Sequence, residues 1–513
     1  MCMNSKYNQL KAGVLLTYLQ MGVSVLVGLI YTPVMLNILG QSEYGLYNTV
    51  SSTISMLSIL SLGFSSAYIR YYARYKAQLN VKAINKLNSL FVTIFAIIAL
   101  IALICGIFLS ENLDIVFAEG LTPDELETAR TLTQLLSLNI AFTFLFSVFS
   151  SIISAHEEFV FQKLINIIRT IASPMITLPV LLLGYGSIGM VVMTVIVSLA
   201  ADMANVLFCL RKLHVGFDFH DWEHGLLSSL LGYVGFIAIN LIVDQINWNI
   251  DKVLLGRFCG TTAVAVYSIG YTLYQYYMQF ASAVSSVFIP RVHQIENADE
   301  SELEKNKRHT ELMIKVGRIQ FLLLGMILCG LILFGRSFIR FWAGEGYENA
   351  YYVCLLLTIP TTIPLIQNIG IEIQRAKNKH QFRSIVYAIM AVINLVITVF
   401  LCQKWGEIGS ALGTAVSLVI ANGIIINIYY YHLRIDILKF WKQIGKQMIG
   451  IVLALCLGMI MIVVVPPRYL SVMIVEICLF TMIYFLCVWF ISMNSYEKNL
   501  VLKVVRKVGI RHA

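Results

Sequence analysis

The chain has 513 residues, of which 58% are hydrophobic and only 13% are charged. A soluble protein of this size would carry about twice that share of charged residues, so the composition predicts a polytopic membrane protein instead. The net charge of +9 could indicate a nucleic-acid partner. The basic residues, however, gather in alternate loops, so membrane topology explains the charge better and we expect no nucleic acid.

Fourteen apolar stretches are predicted to cross the membrane as helices, since a span requires about 20 mostly apolar residues. They lie at approximately 12–38, 44–69, 88–110, 128–153, 160–183, 187–210, 228–255, 262–290, 317–338, 350–373, 383–402, 407–431, 446–466 and 470–493. The first is predicted to be a retained helix, because no small-residue cleavage pattern follows a short apolar core. Hydropathy alone would also allow thirteen, because only Gly184–Gly189 divides the apolar block at 160–210.

The distribution of Lys and Arg favours fourteen spans. With that count and a cytoplasmic N-terminus, the inner side holds most of the 37 basic residues. The outer side keeps Arg130, Lys252, Arg257, Arg336, Arg340, Lys404 and Arg468. The positive-inside rule requires such an asymmetry, whereas one helix fewer would invert every later loop. We therefore predict that both termini are cytoplasmic.

The connections leave little room for a catalytic domain. Most outer loops are short, apart from the acidic segment 111–127 and the segment 339–349, and the longest inner loop is 291–316. The sequence contains no H-E-x-x-H, P-loop, G-x-S-x-G or dinucleotide-binding motif. Its ten cysteines form no CxxC pair or Cys/His cluster, which favours packing roles. We therefore expect no enzyme, no cofactor and no metal site.

The two halves of the chain share a pattern of glycine, tyrosine and a basic exit from a helix. The matching residues are Gly40, Tyr47 and Arg70 in the first half and Gly260, Tyr267 and Arg291 in the second. An even number of helices separates the two units, which predicts parallel repeats. Arg70 and Arg291 are candidate contacts for an anionic lipid head group, because the fork of an Arg side chain matches phosphate oxygens. Ordinary positive-inside anchoring is the alternative.

The seventh span carries a polar seam. Asn240, Asp244, Asn247 and Asp251 are spaced so that they share one helical face. Facing lipid, each Asp at mid-bilayer would cost roughly 2.5 kcal/mol or more, so the face is predicted to line an aqueous substrate cavity. The alternative is a buried stripe that hydrogen-bonds to neighbouring helices. Asp244 is the first candidate for a carboxyl that couples transport to an ion, because such a group must be protonatable in a cavity of low dielectric.

Further polar groups lie in the tenth and fourteenth spans. Two prolines within 360–364 predict an interrupted helix beside Gln367 and Asn368, which we take as candidate cavity residues. Glu372 is the second candidate for ion coupling, although it could instead snorkel to the nearby interface. Glu476 has no polar neighbour in its span and is predicted to be a structural hydrogen-bond partner.

Four short segments of the chain resemble a known family. Gly22–Pro33 and Leu39–Tyr47 look like the first hairpin of bacterial polysaccharide flippases, and Asp251–Gly256 and Phe288–Arg291 are similar to their second half. These are the Wzx-type oligosaccharide carriers of the multidrug/oligosaccharidyl-lipid/polysaccharide (MOP) exporter superfamily. The resemblance covers essentially the whole chain.

The resemblance implies an all-α fold of about fourteen transmembrane helices in two pseudo-symmetric bundles around a cavity that opens alternately to each face. We expect an N-terminal bundle of helices 1–6 over residues 1–215, a C-terminal bundle of helices 7–12 over 216–440, and two further helices with a basic tail over 441–513. The implied substrate is an undecaprenyl-diphosphate-linked oligosaccharide in the bacterial inner membrane. The implied partners are membrane lipids, a coupling H⁺ or Na⁺, and polysaccharide assembly proteins.

Four other functions can be weighed from the sequence. A cation-coupled multidrug exporter would be favoured if a small organic cation fitted an acidic cavity formed by Asp244 and Asp251. A lipid II flippase would be expected to carry more cationic residues at mid-membrane, where Arg is scarce here. A membrane glycosyl polymerase or ligase would need a sizeable outer loop with charged catalytic groups, and the short outer loops argue against it. A non-transporting scaffold for cell-wall assembly has no positive support in the sequence.

Overall fold

The structure is a computed structural model that describes residues 2–117, 120–220 and 226–509, except for the side chains at 2–11, 14, 226–229, 231–233, 236–237, 239–240, 283–284, 286 and 504–509. Every regular element in the described ranges is helical. The α-helices up to residue 286 are α1 (Cys2–Ser55), α2 (Phe64–Ala77), α3 (Val81–Glu111), α4 (Leu113–Phe117), α5 (Pro123–Ala155), α6 (Phe159–Leu182), α7 (Gly186–Arg211), α8 (Leu226–Phe258) and α9 (Gly260–Ser286). The second half contains α10 (Ile289–Glu296), α11 (Glu302–Ala343), α12 (Ala350–Ile366), α13 (Asn368–Ala376), α14 (Gln381–Leu418), α15 (Ile426–His432), α16 (Ile437–Val464), α17 (Leu470–Cys487) and α18 (Ser495–Gly509).

Nine helical stretches in the described residues are long and apolar enough to cross a membrane, or ten if α12 and α13 form one bent span. Two of the nine are interrupted. Gly40 has a positive φ of 75° inside α1, and Trp405 and Gly406 leave the helical conformation inside α14. The prediction of an all-α polytopic membrane protein is confirmed, while the count of fourteen spans stays a prediction.

Local sequence signals account for several helix ends. Thr122 and Glu125 form a capping box at the start of α5, and Ser301 and Glu304 form another at the start of α11. Each box satisfies backbone N–H groups that the first turn of a helix leaves without partners. Glycine matters at Gly260, whose φ of 82° lies in the left-handed region that side chains disfavour, and it marks the turn between α8 and α9.

Residue contacts divide the chain into two units. The first comprises 1–268 together with 399–410, and the second comprises 269–398 together with 411–513. In the first unit, aromatic residues of α2 and α3 such as Tyr68 and Phe91 are fully buried. In the second, α11 packs on α12 and α16. The predicted boundaries at 215 and 440 stay a prediction, and the contacts place α8 with the first unit and α16–α18 with the second.

Candidate functional site

The side chains of the polar seam differ in exposure along α8. Asp251 is only 3% exposed, and its Oδ2 accepts a hydrogen bond from Tyr267 Oη on α9 at 2.7 Å. Asp244 is exposed and Asn247 is half-buried, whereas the side chain of Asn240 lies outside the described residues. The buried-stripe alternative therefore describes the Asp251 end of the seam. The cavity interpretation stays a prediction for Asp244 and Asn247.

A second polar pair on α8 was not anticipated from the sequence. Asn249 Nδ2 donates to Gln245 Oε1 at 2.6 Å, one helical turn away. The spacing of four residues could have identified this pair, because such residues face each other on a helix. The bond satisfies one donor and one acceptor inside α8 itself, so this pair needs fewer hydrogen bonds from neighbouring helices than the seam does.

The glycine turns of the two repeats meet through a group that we call the turn cluster, formed by Ser42, Thr122, Glu125 and Thr261. The Glu125 carboxylate accepts hydrogen bonds from the hydroxyls of Ser42 and Thr261, the latter at 2.8 Å. It also accepts from the backbone N–H of Thr122 at 2.9 Å, and the Ser42 and Thr261 hydroxyls lie 3.1 Å apart. One carboxylate thus joins α1, α5 and the start of α9 at the predicted outer end.

Glycines allow the backbone to approach closely around the turn cluster. A Cβ atom at Gly45 would lie 1.9 Å from the carbonyl oxygen of Thr261, and one at Gly120 would lie 1.9 Å from that of Gly256. Real Cβ contacts essentially never fall below 3.0 Å. Any side chain at Gly45 or Gly120 would therefore force the α8–α9 turn away from the rest of the first unit.

The bend between α12 and α13 is a polar junction within the second unit. Gln367 is 1% exposed and donates from Nε2 to Asn427 Oδ1 at 2.9 Å. The indole N–H of Trp441 donates to the same oxygen at 2.9 Å. Asn368 donates from Nδ2 to Ser285 Oγ at 3.2 Å. Side chains from neighbouring helices therefore hold the 46° bend that the prolines of α12 precede.

The two arginine candidates and Glu372 lie on α2, α10 and α13. Arg70 on α2 and Arg291 on α10 are both exposed. Glu372 forms an ion pair with Arg375 one turn later at 2.8 Å, and the Arg375 side chain is 62% exposed. This pairing matches the interfacial alternative for Glu372. A role for it in ion coupling stays a prediction.

Glu476 does not form, among the described residues, the structural hydrogen bonds that the sequence predicts for it. It is 3% exposed, and neither carboxylate oxygen has a hydrogen-bond partner among the described residues. Together with Met461 and Ser471, it lines a cavity of about 310 Å³ between the end of α16 and the start of α17. A buried carboxyl without a partner is costly in its ionised form.

Comparisons with known proteins agree with this architecture. Residues 34–352 match the model of a family described as "Polysaccharide biosynthesis protein". A curated relative is the probable low-salt glycan biosynthesis flippase Agl15 of Haloferax volcanii, which is 22% identical over 217 residues. The alignment covers 42% of this chain and only 44% of that relative.

Solved structures share the fold over most of the chain. The lipid II flippase MurJ in an inward closed conformation has a TM-score of 0.75 at 16% identity, with 95% of this chain and 99% of that chain covered. An inward-facing multidrug resistance MATE family transporter of the MOP superfamily has a TM-score of 0.60 at 13% identity, with 82% and 96% covered. These likenesses confirm the predicted MOP/MATE-like fold.

Proposed function

Because the chain belongs to the polysaccharide biosynthesis protein family, we propose that it is a flippase for an undecaprenyl-diphosphate-linked oligosaccharide. The family match over 34–352 carries this proposal, and the multi-pass helical fold supports it. The transported unit would cross from the inner to the outer leaflet by alternating access. We further propose a location in the bacterial cytoplasmic membrane with both termini inside.

The second unit contains a surface suited to the lipid tail of such a substrate. A cavity of about 320 Å³ is lined almost entirely by apolar and aromatic side chains of α9, α11 and α17. Tyr276 and Phe280 form one wall, Phe334 and Phe338 a second, and Phe480 a third. An isoprenoid chain has no hydrogen-bonding groups, so an apolar wall without unsatisfied polar atoms accommodates it at least cost.

The polar parts of the substrate would contact other residues. We assign the sugar to the exposed Asp244 and the half-buried Asn247 on α8. Arg70 and Arg291, each exposed, are separate candidate contacts for the diphosphate, because a guanidinium binds phosphate through paired N–H groups. Asp244 is also our first candidate for binding a coupling H⁺ or Na⁺. Assembly proteins for the polysaccharide are further proposed partners.

Deletion of the gene tests the proposal. We expect undecaprenyl-linked glycan to accumulate in the inner leaflet and the surface glycan to be lost, with both restored by the wild-type gene. Unchanged surface glycan together with increased drug sensitivity would contradict the flippase and favour a multidrug exporter. Accumulation of lipid II in place of the glycan precursor would reassign the substrate.

A further inference from the structure

A buried arginine joins three helices of the second unit. Arg318 on α11 is 3% exposed and binds Glu497 of α18 through two hydrogen bonds, Nε to Oε1 at 2.7 Å and Nη2 to Oε2 at 2.9 Å. Its remaining N–H groups donate to the carbonyl oxygens of Gln443 on α16 and Ser492, both at 2.9 Å. The guanidinium is thus committed to protein partners, and Glu497 is neutralised by it.

Next to this junction lies an open cavity of about 350 Å³. Its lining includes Lys315 of α11, Lys439 of α16 and Tyr496 of α18, together with the carboxylate of Glu311. Lys315 Nζ lies 4.0 Å from the centre of the Tyr496 ring, which places its charge at the cavity wall. With Arg318 and Glu497 cancelling, two lysines face one carboxylate, so the cavity is positive.

The surroundings extend this positive charge. Lys439, Lys442 and Lys446 follow one another on an exposed face of α16. Under the proposed topology, the start of α16 and the end of α17 both lie at the cytoplasmic face, where the inner leaflet presents anionic head groups. Basic pockets between transmembrane helices at that face suit phosphate head groups.

We propose that this cavity binds the phosphate head group of an anionic lipid. Lys315 and Lys439 supply the point charges that attract phosphate oxygens, and the Tyr496 hydroxyl and the Gln443 and Asn494 amides supply hydrogen-bond donors. The lipid could be a bulk anionic phospholipid or the polyprenyl diphosphate carrier. Only the second source rests on the proposed function.

The test is lipid binding by the purified full-length protein in a neutral detergent, measured by native mass spectrometry. The probes are phosphatidylglycerol, farnesyl diphosphate and, as a neutral reference, phosphatidylcholine. The variant is the double substitution Lys315→Gln with Lys439→Gln, and both lysines are exposed, so the fold should persist. The matched control is Lys82→Gln, an exposed lysine on α3 in the first unit that does not line the cavity.

We expect the double variant to bind the anionic probes about 25-fold more weakly, since one lysine near an anionic head group is worth roughly a factor of five. Binding by the control and binding of phosphatidylcholine should stay at wild-type levels. Preference for phosphatidylglycerol would identify a bulk lipid, and preference for farnesyl diphosphate would identify the carrier. Unchanged binding in the double variant, or an equal loss in Lys82→Gln, would overturn the site. No arm depends on transport, so its failure is distinct from failure of the flippase proposal.

Discussion

The close approach of Gly45 to the α8–α9 turn makes a sharp prediction for Gly45→Ala. The added Cβ would lie 1.9 Å from the Thr261 carbonyl oxygen, about 1.5 Å short of ordinary van der Waals contact. The clashing atom is backbone, so no side-chain rotation relieves it and the turn must move. Overpacking of this kind costs roughly 1–3 kcal/mol. The movement also strains the 2.8 Å hydrogen bond between Thr261 and Glu125.

The same helix offers a matched control. A Cβ at Gly22 of α1 would meet no atom within 4 Å. Gly22→Ala should therefore keep or raise stability by about 0.5–1 kcal/mol, because alanine is the better helix former. We expect thermal unfolding in detergent to show Gly45→Ala melting below the wild type and Gly22→Ala melting at or above it. Equal melting temperatures for Gly45→Ala and the wild type would refute the close approach of the two turns.

Four further substitutions test other parts of the account. Asp244→Asn should abolish or strongly reduce transport while leaving folding intact, and wild-type transport in this variant would remove Asp244 from the proposed site. Asp251→Asn should retain transport, because Asn still offers Tyr267 a hydrogen-bond acceptor. Arg318→Leu should lower the free energy of unfolding by about 3–5 kcal/mol, since it breaks a buried pair by removing one partner, and an unchanged unfolding curve would show that the pair contributes little. Glu476→Leu should keep or raise thermal stability, because it removes a buried carboxyl that no described residue satisfies, and a marked loss of stability would show that Glu476 has a partner.

Hydropathy and loop charge predicted the all-α membrane fold because bilayer thickness imposes a length and an apolar composition on every span. The Thr122–Glu125 capping box carried a local signal as well, since its hydroxyl and carboxylate are three residues apart. The sequence alone indicates only an acidic outer loop at 111–127. Glu125 contacts Ser42, 83 residues earlier, and no local pattern predicts such a contact.

The polar sites depended even more on distant partners. Asp251 is buried, and the group that donates to it is Tyr267, on the far side of a glycine turn. In the sequence Arg318 is one basic residue on the predicted inner side, whereas its partner Glu497 lies 179 residues later. Periodicity identifies the face on which a side chain lies, but not which neighbour meets that face. The fold could therefore be predicted more completely than the site.

Translocation by the purified protein tests the central claim most directly. The protein would be reconstituted into vesicles that carry a polyprenyl-diphosphate-linked oligosaccharide labelled on its sugar, with a membrane-impermeant periodate reagent added outside. A flippase predicts that the protected inner-leaflet fraction becomes oxidised much faster than in protein-free vesicles. Oxidation no faster than in protein-free vesicles would contradict the account.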